Sequence, residues 1–291
     1  MADIKKDPFE EYIKNLPPSR KEIGQAWSAA IGLQDVDGLK TSEYLYTTAK
    51  KNIDGEITID EAGELINSYY ESRLGRTEHG TEEADKVSQR IAKLLSDNAF
   101  VFSPAQYISI HKELFKGIYS HAGEIRDYNI TKKEWILNSE TVLYAPFETI
   151  KEALDYDFSI EKDFQYEGLD IEKSIKHIAK FTSLIWQIHP FCEGNTRTIA
   201  VFIIKYLRKF GFNVNNDEFA NNSWYFRNAL VRANYNDLKK DISATSLFLE
   251  RFFENLLLNR KNLLKNRYLH VDYDKNFKVQ KMKFQSAIFA L

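Results

Sequence analysis

Cysteine occurs once in 291 residues, at Cys192, which excludes a disulfide within the chain and fits a reducing compartment, expected to be the cytoplasm. Glycine and proline are scarce, 12 and 6, and together with long runs of helical spacing this argues for a mainly α chain. No apolar run reaches membrane-spanning length, and the opening Met1-Ala2-Asp3-Ile4-Lys5-Lys6-Asp7-Pro8 lacks the apolar core of a signal peptide, so neither a membrane partner nor an export signal is expected. Neither sign of charge is in excess: a net charge of -2 offers no general reason to expect nucleic acid as a partner. Internal repeats and low-complexity segments are absent as well. What remains is a chain long enough to bury a sizeable core, 43% hydrophobic and 28% charged.

One segment stands out. His189-Pro190-Phe191-Cys192-Glu193-Gly194-Asn195-Thr196-Arg197 places a base, an acid, a glycine turn and an arginine between two apolar runs. The run from Ile178 to Ile188 has helical spacing and should end at His189, because Pro190 biases the preceding residue away from the α region. The run after Asn195 is apolar on nearly all sides, with basic residues near its end and Gly211 placed as a stop, which predicts a buried central helix. A Gly-Asn-Thr loop opening a helix presents unpaired N–H groups and the positive end of the dipole, a setting for phosphate. Arg197 in the first turn is unfavourable by the dipole rule alone, and a bound anion gives its position a reason. Glu193 beside phosphates calls for a bridging hard cation such as Mg²⁺. His189 is left as the proton acceptor. Singly, these are ordinary turn and surface residues; their conjunction points to metal-assisted nucleotidyl or phosphoryl transfer.

At these residues the chain resembles the Fic (filamentation induced by cAMP) family, whose signature reads His-Pro-Phe-x-(Asp/Glu)-Gly-Asn-x-Arg-x-x-Arg, and every specified position but the last is matched. The resemblance implies a helical core with a small β-hairpin flap and transfer of AMP from ATP to a protein hydroxyl. By that resemblance His189 is the general base and Glu193 binds Mg²⁺. Gly194 to Thr196 and the Asn195 side chain cradle the α- and β-phosphates, Arg197 pairs with phosphate, and Phe191 belongs to the same nucleotide-binding loop. Ala200 stands where the second arginine, which usually serves the γ-phosphate, would be. Its loss leaves three consequences open: weaker ATP binding, another nucleotide, or a basic residue from elsewhere in compensation.

Corroboration lies on both sides. Residues 102–126 are similar to the family's early core, with Ser103 as N-cap, Pro104 at the first helical position, and Ala122-Gly123-Glu124-Ile125-Arg126 holding the next segment in place. Residues 128–145 are the best strand candidate, two short β-prone runs broken at Asn138-Ser139, and correspond to the flap; a target protein is expected to dock along residues 131–145 by edge pairing. The helix around Trp224 to Asn234 resembles the one bordering the adenine pocket, with Asn234 expected at the base and Tyr225 beside it.

The N-terminal part reads as a helical module. Residues 54–72 carry a capping box, Thr58 with Glu61, and are similar to the antitoxin-like modules that accompany some Fic enzymes. In those modules a Ser/Thr-x-x-x-Glu helix pairs with the second signature arginine. Here the corresponding stretch has Leu33 for the hydroxyl residue and Asp37 for the glutamate. With Ala200 at the receiving end, self-inhibition through the usual salt bridge is expected to be weakened or lost, with Asp37 the residue in question. The expected division is 1–90 for this module, 91–260 for the catalytic core and 261–291 for a basic C-terminal extension, with a homo-oligomer left open. Besides an adenylyltransferase, the residues are compatible with a non-catalytic nucleotide-binding module, with another phosphate-linked donor, or with removal of AMP.

Overall fold

Local signals set several of the helix starts. In the computed structural model, which describes residues 9–72, 80–212, 214 and 217–273, the short α1 (Glu10–Lys14) is followed by α2 (Pro18–Gly32), which opens on proline. Next come α3 (Glu43–Ile53), capped by Ser42, and α4 (Ile59–Glu71), where the Thr58–Glu61 capping box forms in full. They are followed by α5 (Thr81–Ser96) and by α6 (Pro104–Phe115), whose N-cap Ser103 accepts from the Gln106 N–H as its sequence anticipates. The rest are α7 (Ile150–Asp163), α8 (Ile171–Ile188), α9 (Asn195–Lys209), α10 (Asp217–Ala233), kinked at Asn222, and α11 (Leu247–Leu258).

Helix α9 is the axis of the molecule. Every residue from Asn195 to Leu207 is buried, and the helix packs against α5, α6 and α8. Its cations near the C-terminus turn inward to a different task. Lys205 Nζ donates to the carbonyls of Leu94 (2.7 Å) and Asp97 (2.5 Å), and Arg208 to that of Leu95 (2.6 Å), so that they cap the last turn of α5.

Around this axis α2 packs on α3, α5 and α10. The approach to α10 is close enough that a Cβ on Gly32 would lie 2.2 Å from the Ala220 carbonyl oxygen. Asp85 on α5 is fully buried and accepts from the backbone and hydroxyl of Ser42 and from the Tyr70 hydroxyl, pinning α3 and α4 to α5. One apolar cluster runs continuously from Phe9 to Leu269.

The expected hairpin is absent. Among the described residues there is no strand, only an isolated antiparallel bridge between Asp237 and Ile242. Residues 128–145 instead run extended into a tight 3₁₀ turn, Trp135–Leu137, with Asn138 and Ser139 both at positive φ. Burial is consistent with this: Ile136 and Leu137 are consecutive yet both inside, which does not suit a surface hairpin with one face in water. Across the turn, the Glu134 N–H donates to the Glu140 carbonyl and the Ser139 N–H to the Glu134 carbonyl, without continuing into a ladder. The Ile136 carbonyl accepts from Val271 N, which ties this segment to the residues after α11. Of the basic extension, Lys275, Lys278, Lys281 and Lys283 lie outside the described residues, as do Met1 to Pro8. No helix among the described residues is long and apolar enough to cross a membrane.

Candidate active site

Helix α8 ends where Pro190 requires, but His189 takes the left-handed conformation (φ 51°, ψ 59°) and so turns the chain sharply. Arg126 holds that turn. Its guanidinium donates to the carbonyls of His189 (2.8 Å), Ile188 (3.3 Å), Tyr128 (2.8 Å) and Ala145 (2.5 Å), while its own N–H donates to Pro190 O (2.9 Å). The Ala-Gly-Glu-Ile-Arg run thus fastens the histidine loop and the segment after it with one side chain.

The state of His189 follows from its partners. Nδ1 lies 3.2 Å from the Trp186 carbonyl, which can only accept, so Nδ1 carries the proton and Nε2 holds a lone pair. Nε2 is buried and has no hydrogen-bond partner. Burial first, then the positive charges of Lys132, Arg126 and Arg227, press the imidazole well below its ordinary pKa, against the Trp186 bond. Trp186 meets the ring edge-on, and Tyr144 lies 4.2 Å from it between ring centres.

The loop after His189 is braced from within. Asn195 Oδ1 accepts from Phe191 N (3.0 Å) and its Nδ2 donates to Phe191 O (2.7 Å), so the amide expected at phosphate closes the turn. Gly194, at φ 75°, lies where a Cβ would meet the Phe115 ring at 2.3 Å; this glycine answers to packing as well as to conformation. Thr196 accepts from the Trp186 indole (3.0 Å). Beneath the loop, Phe191 stacks on His111 at 3.7 Å. His111 Nδ1 accepts from Gly123 N (2.9 Å), which leaves Nε2–H to donate to Glu193 O (3.1 Å). Burial lowers the pKa of His111 to about 4 and keeps it neutral.

Two recesses meet at the loop. The larger, of about 570 Å³, is lined by Asp35, Asp37, Glu83, Glu193, Arg197, Trp224 and Arg227 among others. Beside His189, Gly194, Asn195 and Thr196 the space narrows to about 20 Å³, room for little more than a water. Arg197 is 1% exposed, and its two terminal nitrogens are engaged. It donates to Glu83 Oε1 (2.7 Å), Gln34 Oε1 (3.0 Å) and the Tyr119 hydroxyl (3.2 Å), and lies over the Phe115 ring. Asp37 Oδ2 is 2.9 Å from its Nε, yet that N–H is not aligned for a hydrogen bond, so the contact is one of charge alone. Although burial opposes the charge, Asp37, Tyr119 and Glu83 outweigh it and hold the guanidinium protonated more firmly than usual.

Asp37 therefore finds an arginine, though not where the family pattern places one. Ala200 is buried with no charge to offer, and the 3₁₀ turn Leu33–Asp37 sets the carboxylate against the first signature arginine instead. Glu193 is half exposed at the mouth, with Lys132 Nζ 3.0 Å from Oε2. No cluster of three or more metal-ligating side chains occurs among the described residues. At the loop itself Glu193 offers one accessible carboxylate, which fits a Mg²⁺ ion that takes its other ligands from phosphate and water.

The remaining expected residues do not converge. Tyr225 is 1% exposed, inside the core, and Asn234 commits its amide N–H groups to Leu230 O (2.9 Å) and Ser183 O (3.2 Å). Sequence reading passed over Glu83, Tyr119, Lys132, Glu134 and Arg227. Arg227 lies in the Trp224 to Asn234 stretch already singled out, and Lys132 and Glu134 in residues 128–145, but nothing local marked them as facing the site.

The chain is 26% identical over 173 residues to the protein adenylyltransferase VbhT of Bartonella schoenbuchensis. That alignment takes in 58% of this chain and 34% of VbhT, so the chain spans about a third of its relative's length. The Fic/DOC family model matches residues 101–207, which include α6, α8, the histidine loop and most of α9 and leave the N-terminal helices outside. Residues 101–207 of this chain are a Fic/DOC-family domain.

Proposed function

We propose that the protein transfers AMP from ATP to a hydroxyl of a target protein and releases pyrophosphate. The observation that carries this reading is His189: its tautomer is fixed by Trp186 O, and its unpartnered Nε2 lone pair lies beside the N-terminus of α9. The target hydroxyl oxygen forms a bond to the α-phosphorus as its proton passes to Nε2, and the bond from phosphorus to the pyrophosphate oxygen breaks. The α9 N-terminus and the Gly194–Thr196 backbone receive the phosphates. The depressed pKa of His189 keeps the base unprotonated at neutral pH.

A divalent cation has a physical reason to be there. The larger recess sets four carboxylates against two guanidinium groups, and a polyphosphate entering it meets net negative charge. Mg²⁺ on Glu193 supplies the missing positive charge and screens the phosphate oxygens when bound. VbhT is named a protein adenylyltransferase, which supports the same donor and reaction class. The target protein docks along residues 131–145, Asp37 acts as a regulatory competitor for Arg197, and the N-terminal helices form the module that presents it.

A second reading is favoured by one observation: Arg197 is already held by Asp37 and Glu83, and little space remains at His189. On that reading the protein binds nucleotide without transferring it. Incubation of lysate with the protein and isotope-labelled ATP, read by mass spectrometry, separates the two. AMP on hydroxyl side chains, lost with His189→Ala, is the expected result. Modification that persists in His189→Ala removes the assigned base, and tight ATP binding with no modified protein favours the second reading.

A further inference from the structure

Arg197 and Ala200 share one face of α9, three residues apart, so that face brings a single cation to the cleft. A second guanidinium reaches the same space from the opposite wall. Arg227, on α10, lines both the larger recess and the narrow one beside His189, Gly194 and Thr196. Its two terminal nitrogens bind the two oxygens of Glu134 at 2.7 and 2.9 Å, a fork-to-fork pair, and its plane lies 4.9 Å from the Trp224 ring centre.

We propose that Arg227 is a phosphate-binding residue of the nucleotide site, supplying from α10 the second cation that position 200 of α9 does not. This rests on the nucleotide reading above. Glu134 is 1% exposed and Arg227 15%, so the carboxylate is the inner partner and the guanidinium the one that faces the cleft. The pair occupies two of the five N–H donors of arginine, and others remain for an anion. Held on both sides by Glu134 and Trp224, the fork meets a ligand with little side-chain entropy left to lose. Its charge is also felt at the reacting centre, being among those that depress His189.

The alternative is that the pair only fastens residues 128–145 to α10. Four full-length proteins separate the two: wild type, Arg227→Gln, Arg227→Lys and Glu134→Gln, each titrated with ATP and Mg²⁺ at two salt concentrations and each checked by thermal unfolding. Arg227→Gln is expected to weaken ATP binding tenfold or more and to flatten its salt dependence. Arg227→Lys, which keeps the charge and loses the fork, should fall between. Glu134→Gln should bind ATP as well as wild type or better, since it removes a competing negative charge.

Wild-type affinity in Arg227→Gln overturns the inference and leaves the nucleotide reading standing. An equal loss in Glu134→Gln and Arg227→Gln overturns it too, because a structural fastening fails from either end. So does an equal loss in Arg227→Lys and Arg227→Gln with unchanged salt dependence, which marks stacking on a base rather than phosphate recognition. A wild-type protein that binds no ATP sinks the nucleotide reading and this inference with it.

Discussion

The two walls of the cleft solve the same problem in opposite ways. Each presents an arginine stacked on an aromatic ring and neutralised by carboxylates: Arg197 over Phe115 with Asp37 and Glu83, Arg227 over Trp224 with Glu134. At the first wall the arginine is the buried partner, 1% exposed, and its carboxylates are the ones water reaches, 32% and 21%. At the second the carboxylate is buried and the arginine looks outward. A carboxylate with access to water can exchange for a phosphate at modest cost, whereas one sealed in the interior stays and serves as a brace. On the nucleotide reading proposed above, the first wall suits exchange and the second addition.

The largest effect expected lies between the walls. His189→Ala should lower transfer by about a hundredfold to ten-thousandfold, the usual range for a general base, while ATP binding, measured by titration, stays close to wild type. Equal loss of binding and transfer would erase the distinction between the base and the anion site.

Stability should then separate the walls themselves. Glu134→Ala leaves a partly buried guanidinium unpaired and is expected to cost about 3 kcal/mol in denaturant unfolding. Asp37→Ala should cost less than about 1 kcal/mol, because its contact is a third exposed, unaligned and backed by Glu83 and Gln34. Similar costs would mean that the contrast in burial has no energetic meaning.

Two buried histidines, His189 at the start of the loop and His111 beneath it, predict an acid limit. In the unfolded chain each imidazole titrates near 6.5; folded, His189 lies well below that and His111 at about 4. Between those values the unfolded state binds more protons, so stability is full above pH 6.5 and falls as pH drops, by up to about 1.4 kcal/mol per pH unit for each histidine. Unfolding curves between pH 7 and pH 4.5 should show that slope, and His111→Gln should reduce it.

The smallest effect is at the first wall. Asp37→Asn removes a competing charge without changing shape and should strengthen ATP binding about three- to tenfold, or 0.7 to 1.4 kcal/mol. Unchanged affinity would show that Asp37 does not compete for Arg197, in line with the weakened or lost self-inhibition its sequence suggested.

Much of the site was legible because its information is local. Pro190 stops α8, the Thr58–Glu61 and Ser103 caps start their helices, and an unbroken apolar run makes α9 central; each depends on residues a few positions apart. Residues 128–145 misled for a related reason. β-prone composition around Asn138-Ser139 suits a hairpin, but Ile136 and Leu137 are buried together, which does not suit a surface hairpin, and burial depends on neighbours far along the chain. Tyr225 and Asn234 were named by analogy with a helix face, and the fold gives one to the core and engages the amide of the other with the Leu230 and Ser183 carbonyls.

By itself the sequence determined a helix–loop–helix that gathers a histidine, a carboxylate, a helix N-terminus and an arginine within nine residues, together with Ala200 in place of a second arginine. Covalent spacing keeps those groups together whatever the rest of the chain does. Only the tertiary structure decided which charges face them. Asp37 is 160 positions from Arg197 and Glu134 is 93 from Arg227, and electrostatic pairing acts through space rather than along the chain.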